Sequence, residues 1–392
     1  MKILIDALSA REGGGVTYVR QLLPELLRQL PTDEIHVLLA PSYQADIIER
    51  VPEGARVIPA PLSDSGVLRR LWYEQTGLQR LVRREGFDLL YTVAEAGAMW
   101  ASCPHVVLAR NLSVFVSPDS FPAGRARRRA MVYRLTRQPV AYLSLRSAAT
   151  VVCVSETFRD MIVRKFRLDP NRTRVVHHGV NPLFSGESVA ASERPVTAGW
   201  PVSYLLTVSS VAPHKNYDVL VEAYAMAHAQ LGSDLPPLLI AGGTTDRVLH
   251  AELLSQVERR GLAGHVRFLG RVDQDKLPAL YRGAELFLFP SRLETFGLPL
   301  LESMAAGTPA IASDLPITRE IGGDAPRFVR EGDAAGLGAA ILELLGDPRR
   351  RESMSKLGRE RAAGFSWEST ARAMAAIFSS VVIRGGAERQ LT

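Results

Sequence analysis

The sequence predicts an α/β protein made of two doubly wound domains, and three observations carry that reading. Short apolar runs suited to buried strands alternate with stretches of helical periodicity along most of the chain. The first run, KILIDAL (2–8), gives way to polar residues, three glycines (Gly13, Gly14 and Gly15) and a helical stretch, which is how a doubly wound domain begins. The alternation halts once, at NPLFSGESVAASERPVTAGWP (181–201), and then restarts. That segment is rich in Ser, Ala, Pro and Gly without usable period, so it reads as an interdomain linker.

In the first domain, 1–180, the helix after the glycines is VTYVRQLLPELLRQL. EIHVLLA (34–40), RVIPAP (56–61), FDLLYTV (87–93) and HVVLAR (105–110) read as further buried strands with helical stretches between them. SAATVVCVSETFRDMIVRKF repeats the scheme with a strand at 150–154, Ser155 as helix cap, then a helix. RTRVVHHGVN closes this half. In the second domain, 202–371, the strands are YLLTVSS (204–210), LLIAGG (238–243), HVRFLG (265–270), ELFLFPS (285–291) and TPAIASD (308–314). WESTARAMAAIFSSVVIR (367–384) reads as a long amphipathic helix, and the segment from about 372 to 392 is expected to pack back on the first domain. Two such units of similar size predict two Rossmann-like domains facing each other across a cleft, with ligands at the carboxyl ends of the strands.

Bulk composition excludes several classes. At 392 residues, 46% hydrophobic and 22% charged, the chain has the make-up of an ordinary soluble protein with material for more than one core. Cys103 and Cys153 lie far apart with no CxxC, which argues against a disulfide framework or zinc site and fits a reducing compartment. The start, MKILIDALSAREGGG, is too short and too charged for a signal peptide. No stretch approaches the roughly 18 apolar residues of a membrane span. A cytoplasmic protein is expected. Its net charge of +6 is uneven: no acidic residue occurs between Asp119 and Glu156. That interval carries Arg125, Arg127, Arg128, Arg129, Arg134, Arg137 and Arg146.

The most informative stretch is SRLETFGLPLLESMAAGTPAIASD (291–314). Pro299 suits the first turn of a helix, where its missing N–H costs nothing, and Gly307 suits the left-handed position after the helix end. The spacing predicts a short helix over 298–306 whose N-terminus opens at the carboxyl edge of a strand. Backbone N–H groups at Gly297 and Leu298, with the positive end of the helix dipole, make an anion site. Glu294 lies in the loop ahead and Glu302 about one turn inside. A carboxylate beside bound phosphate repels it, so it is useful there only by gripping something else, such as sugar hydroxyls.

This stretch resembles the E-x7-E region of the family 4 retaining glycosyltransferases, which have the GT-B fold. Both glutamates, the Phe-Gly-Leu-Pro between them, Ser291 before and Gly307-Thr-Pro after all match, and the resemblance extends over most of residues 1–380. It implies that Glu294 and the amides of Phe296, Gly297 and Leu298 contact the donor sugar and phosphate. It implies too that Glu302 holds the ribose hydroxyls of a nucleotide.

Lys215 in TVSSVAPHKNYDVLVEAY resembles the family's phosphate-binding lysine. A departing diphosphate gains negative charge, which a fixed ammonium offsets; a merely solvated lysine would be poorly placed at a helix start. The family often has Gly-Arg ahead of this lysine, whereas this chain has Ser209-Ser210, so a second cation is either missing or replaced by hydroxyl donors such as Ser210. Gly14 and Gly15 let a backbone approach the donor or acceptor, and Gly243, in the Gly242-Gly243 pair, resembles the family's glycine turn near the nucleotide. A tight turn with no ligand is the alternative for either. The glycines are not GxGxxG and no acidic residue ends a second strand near position 35, so an NAD site has little support. At the end of HVVLAR, Asn111 stands where relatives often have a histidine; an amide can bond a sugar hydroxyl but cannot take a proton. His177 and His178 match the family's His-x-Gly-Val stretch and read as structural rather than catalytic. Asp273-Gln274-Asp275 mimics a metal-binding DxD but sits before an amphipathic helix, where carboxylates cap. No metal or other cofactor is expected.

The arginine segment 121–146 interleaves cations with Phe121, Met131, Val132, Tyr133, Leu135, Val140, Tyr142 and Leu143. That pattern suits an anionic membrane surface, at roughly 1 kcal/mol per arginine, but a solvated helix face or an anionic soluble acceptor fits as well. No nucleic-acid-binding motif accompanies it. Together the expectations are a retaining hexosyltransferase using a nucleoside diphosphate sugar and a hydroxyl acceptor. The Lys215-Asn216 pair gives a slight lean to mannose. Two alternatives stay open: a sugar-nucleotide epimerase of the same build, and a sugar-nucleotide-binding protein without transfer activity.

Overall fold

The computed structural model describes residues 1–10, 14–40, 53–60, 67–95, 97–111, 124–185 and 201–390. Gly13, most of the linker and residues 121–123 of the basic segment lie outside them. The chain divides into two compact units, Met1–Gly179 with Ser366–Thr392, and Val180–Phe365.

The first unit is built on a parallel sheet. Its strands are β1 (Lys2–Asp6), β2 (Glu34–Leu39), β3 (Ala55–Pro59), β4 (Leu89–Thr92), β5 (His105–Ala109), β6 (Thr150–Cys153) and β7 (Thr173–Val175), in the order β3-β2-β1-β4-β5-β6-β7. All pairings are parallel, with Ile3 opposite Ile35 on one side and Leu89 on the other. β4, β5 and β6 are buried throughout, which is why they read as unbroken apolar runs instead of alternating ones. The order reverses between β1 and β4, the switch point at which doubly wound sheets bind ligands.

Helix α1 (Gly14–Gln29) buries Gly15, Tyr18, Val19, Leu22, Leu23 and Leu26, a stripe at helical spacing. Gly14 and Gly15 are thus its first residues, not a loop ahead of it. Further helices are α2 (Val67–Glu85), α3 (Arg125–Ser147) and α4 (Glu156–Phe166). Ser155 caps α4 by accepting from the Phe158 N–H, as the sequence suggests. Residues 125–146 of the basic segment lie in α3; among its described side chains, those fully buried are near its end, at Ala141, Ser144 and Leu145. The terminal helix, numbered α12 below, runs from Trp367 to Gln390 and packs against α1. It buries Trp367, Thr370, Ala371, Met374, Ala375, Phe378 and Val381, one face of an amphipathic helix.

The second unit repeats the plan. Its strands are β8 (Leu205–Val208), β9 (Leu238–Ala241), β10 (Val266–Gly270), β11 (Leu286–Phe289), β12 (Ala310–Ser313) and β13 (Arg327–Val329), ordered β10-β9-β8-β11-β12-β13 and all parallel. The helices are α5 (Tyr217–Leu231), α6 (Arg247–Arg259), α7 (Leu277–Gly283), α8 (Leu298–Ala306), α9 (Pro316–Gly322), α10 (Ala334–Gly346) and α11 (Pro348–Ala362). Leu220, Tyr224, Leu238, Leu286, Ile311 and Ile341 lie at the centre of its core. Here the order reverses between β8 and β11.

One polar group in the first core carries a measurable consequence. Asp6, at the end of β1, is buried, and its Oδ2 has no hydrogen-bond partner. Burial pushes its carboxyl up to about 6 from 3.8, against the pull of the Leu8 N–H and Arg70. Above that pH, folding must ionise a carboxyl that the interior disfavours. Stability from this group is therefore full at acid pH and lost as pH rises from 3.8 through about 6, by up to about 3 kcal/mol. The melting temperature of Asp6→Asn minus that of wild type should rise between pH 4 and pH 7. A difference that stays flat across that range refutes this account of the buried carboxyl.

Candidate functional site

The site residues of the second unit come chiefly from two loops at the switch point, those after β8 and β11. After β8 the chain makes a tight turn, Pro213–Lys215, and Asn216 follows in the left-handed region at φ 60°. After β11 it passes through Ser291, Arg292 and Glu294 to Gly297, which caps α8 with φ 93°, a conformation that favours glycine. Pro299 lies in the first turn of α8, and Gly307, at φ 75°, ends it. The N–H groups of Leu300 and Leu301 donate to the Gly297 carbonyl. Those of Gly297 and Leu298 therefore precede the helix's own ladder and point out of its start.

The two loops meet across the sheet. Lys215 Nζ donates to Glu294 Oε1 at 2.6 Å, with the two side chains 13% and 10% exposed. The Lys215 ammonium is also 5.7 Å from the centre of the Phe289 ring. The Arg292 N–H donates to the His214 carbonyl, and Arg292 Nε bonds Asn216 Oδ1 at 2.8 Å and pairs with Glu331 at 3.2 Å. Asn216 is buried and held by that network in its left-handed turn, which fixes where Lys215 points. His214 is pushed down to about 4, by burial first and Lys215 second, so it is neutral at pH 7. Lys215 and Glu294 are 79 positions apart in the chain, so only the fold brings them together.

Glu302 lies one turn into α8. The residue keeps part of its surface, yet its carboxyl is deep enough that burial raises it to about 7, with a hydrogen bond from the Tyr281 phenol lowering it. That phenol donates to Glu302 Oε2 at 2.9 Å. Phe296 is not placed as a side-chain contact: its ring is buried and meets Phe365 edge-on at 6.1 Å.

Ser209 donates its N–H to Ala241 and its hydroxyl to the Ser210 carbonyl, and accepts from the Tyr217 phenol. Of the neighbouring glycines, Gly242 is the constrained one. It has φ 148°, and a Cβ there would sit 2.0 Å from the Ser209 carbonyl oxygen. Gly243, the residue singled out from the sequence, faces open space. Asp273 does not cap α7: Lys276 holds the cap position without a side-chain bond, and Asp273 pairs with Lys276 at the surface. The helix start is satisfied by a surface turn, so the carboxylate is left to find a cation.

In the first unit, Gly15 and Asn111 are tied together by two residues the sequence did not single out as site residues. A Cβ on Gly15 would meet the Arg110 guanidinium at 2.5 Å, so the glycine makes room for that cation at the start of α1. Arg110 Nε also donates to the Val93 carbonyl at 2.8 Å. The exposed Asn111 donates its N–H to Glu95 Oε2 at 3.2 Å, and Glu95 is buried, its carboxyl raised by burial. Gly14 is exposed at the same helix start. His178 is buried, 5.0 Å from the Tyr18 ring and 5.7 Å from Trp367, and burial lowers it to about 3. It is a neutral core residue. Among the described residues no group of three or more His, Cys, Asp or Glu is placed to hold a metal ion.

Sequence comparison places the chain among sugar-transferring enzymes. Residues 201–361 match the family model for glycosyl transferases group 1, and residues 12–183 match that for glycosyltransferase family 4. The chain is 30% identical over 269 residues, 67% of its own length and 67% of the relative's, to O-antigen chain mannosyltransferase B of Escherichia coli. It is 27% identical over 395 residues to a D-inositol 3-phosphate glycosyltransferase of Jonesia denitrificans, covering 93% of this chain and 91% of that one. Anabaena HepE, solved in complex with UDP-glucose, superposes with TM-score 0.76 at 19% identity, covering 97% and 100% of the two chains. The chain belongs to the group 1, family 4-type glycosyltransferases, with the GT-B fold.

Proposed function

We propose that this glycosyltransferase moves a hexose from a nucleoside diphosphate sugar to a hydroxyl acceptor with retention at the anomeric carbon, and needs no metal. The observation that carries the reading is the Lys215–Glu294 pair beside the open start of α8, with Glu302 one turn further in. The α8 amides and Lys215 would take the diphosphate, Glu294 the transferred sugar, and Glu302 the ribose hydroxyls. As the anomeric C–O bond lengthens, charge grows on the leaving diphosphate, where the helix start and the ammonium already point. The acceptor oxygen bonds the same face of the anomeric carbon, and its proton passes to the departing phosphate oxygen. We assign the acceptor to the first unit, at Gly14, Gly15 and Asn111 with Arg110 and Glu95.

Mannose is the favoured sugar, from the Lys215-Asn216 pair and the mannosyltransferase among the relatives. The UDP-glucose bound by Anabaena HepE supports a nucleotide-sugar donor without choosing its base. Incubation with UDP-, GDP-, ADP- and TDP-hexoses, with and without a panel of hydroxyl acceptors, tests the reading. Transfer with the anomeric configuration kept is the expected result. Epimerisation without acceptor, or saturable binding with no turnover, overturns it.

We also infer that α3 meets an anionic membrane surface. Arg127, Arg128 and Arg134 are exposed beside Val132, Leu143 and Leu135, the last 70% exposed. No helix among the described residues is long and apolar enough to cross a membrane, so the contact would be peripheral. Reversing these three arginines to Glu should cut flotation with phosphatidylglycerol vesicles more than tenfold, at ~1 kcal/mol per charge. It should leave donor binding unchanged. Equal flotation of the two proteins rules the contact out.

A further inference from the structure

We propose that Tyr281 is a positioning residue that aims the Glu302 carboxylate at the vicinal hydroxyls of the donor's ribose; this rests on the reading of Glu302 given above. Tyr281 lies in α7, 21 residues ahead of Glu302 in the chain, and its side chain is fully buried. Its ring packs against Phe184 at 5.6 Å and Phe287 at 5.3 Å. Its carbonyl accepts from the Thr308 hydroxyl at 2.7 Å, directly after the glycine that ends α8. The ring is therefore held by its aromatic neighbours, and the backbone is tied to the residue that follows the end of α8.

The phenol occupies one carboxylate oxygen, Oε2. Among the described residues no donor reaches Oε1, and Glu302 keeps part of its surface. A carboxylate with one oxygen held from behind and the other turned outward can accept from a pair of adjacent hydroxyls without first choosing a rotamer. Without the phenol, a carboxyl in this setting has lost its one protein donor. It then protonates or turns, and either change spoils the geometry for two hydroxyls. A tyrosine that only filled space would need no hydroxyl, and phenylalanine would serve.

The test compares ribose and deoxyribose nucleotides by calorimetry, using UDP, GDP and ADP with their 2′-deoxy and 3′-deoxy forms. Wild type should bind the ribose form of its preferred nucleotide about tenfold more tightly than either deoxy form, the effect of one charge-assisted hydrogen bond. Tyr281→Phe keeps the ring and its packing. It should bind the ribose form up to about tenfold more weakly and the deoxy forms nearly as wild type does, so that the preference collapses. In a Glu302→Ala background the Tyr281→Phe change should then have no effect on nucleotide affinity, which a purely structural role would not produce. If Glu302→Ala retains the ribose preference, the reading of Glu302 fails and the proposal with it. If Glu302→Ala removes the preference and Tyr281→Phe keeps it, the proposal alone is overturned.

Discussion

Glu294→Ala is expected to lower transfer by roughly a hundredfold to a thousandfold, the range for removing one group that faces developing charge. At the same time it should tighten the binding of free nucleoside diphosphate. The two effects have one cause. In the structure Glu294 holds the Lys215 ammonium at 2.6 Å, in a setting where both side chains are mostly shielded from water. A diphosphate must compete with that carboxylate for the lysine and also suffers its repulsion. With alanine in place, both costs vanish, and affinity should rise about tenfold if the partly shielded pair is worth about 1.4 kcal/mol. On the proposed reading the sugar, though, loses the group that steadies positive charge at its anomeric carbon. Steady-state transfer and titration calorimetry on the same variant read the two halves. A variant with normal transfer removes Glu294 from the site; one with lost transfer and weakened diphosphate binding means the pair is not a competition.

The elements most legible in the sequence were those with hard punctuation. The bounds of α8 follow from Pro299 and Gly307, because one residue lacks a donor and the other tolerates a left-handed turn. The buried strands were readable as apolar runs, although their ends are shorter in the structure, β8 closing at Val208. β13 passed unnoticed since three residues hold no period. The glycine pairs show a subtler limit. Composition says that a backbone comes close somewhere, but only the fold says that Gly242, and not Gly243, lies under the Ser209 carbonyl. Likewise Gly15 looks like a loop residue until Arg110 is found against it at the start of a helix.

The site's chemistry was legible one residue at a time, and its partnerships were not. Glu294, Lys215 and Glu302 stand out as charges in apolar or dipole-opposed settings. Nothing local says that the first two touch each other, or that the third is held by Tyr281, a tyrosine in an amphipathic stretch 21 residues upstream. Glu95 and Arg110 escaped for the same reason: each follows a strand as an ordinary polar residue, and burial alone reveals them. The absent Gly-Arg before Lys215 is a real difference in charge. In the structure the first residues of the loop after β8 are stitched by hydroxyls, Ser209 to Ser210 and Tyr217 to Ser209, and the Arg292 guanidinium meets the loop further on, at Asn216.

On the proposed reading Lys215 is the ammonium on which the diphosphate chiefly depends, and Lys215→Met is the second large effect to expect. Methionine keeps much of the aliphatic stem against Phe289 and removes only the charge. Transfer should fall roughly a hundredfold to a thousandfold, since the leaving group then relies on the start of α8 alone. Nucleoside diphosphate affinity should fall as well, opposite in sign to the Glu294→Ala result, whereas nucleoside lacking phosphate should bind unchanged. The paired titrations separate this account from a simple loss of structure, because a collapsed loop would weaken nucleoside and nucleotide alike. Should Lys215→Met bind diphosphate as tightly as wild type, the charge must be balanced by another group. Arg292, already bonded to Asn216 beside the same turn, would be the residue to replace next.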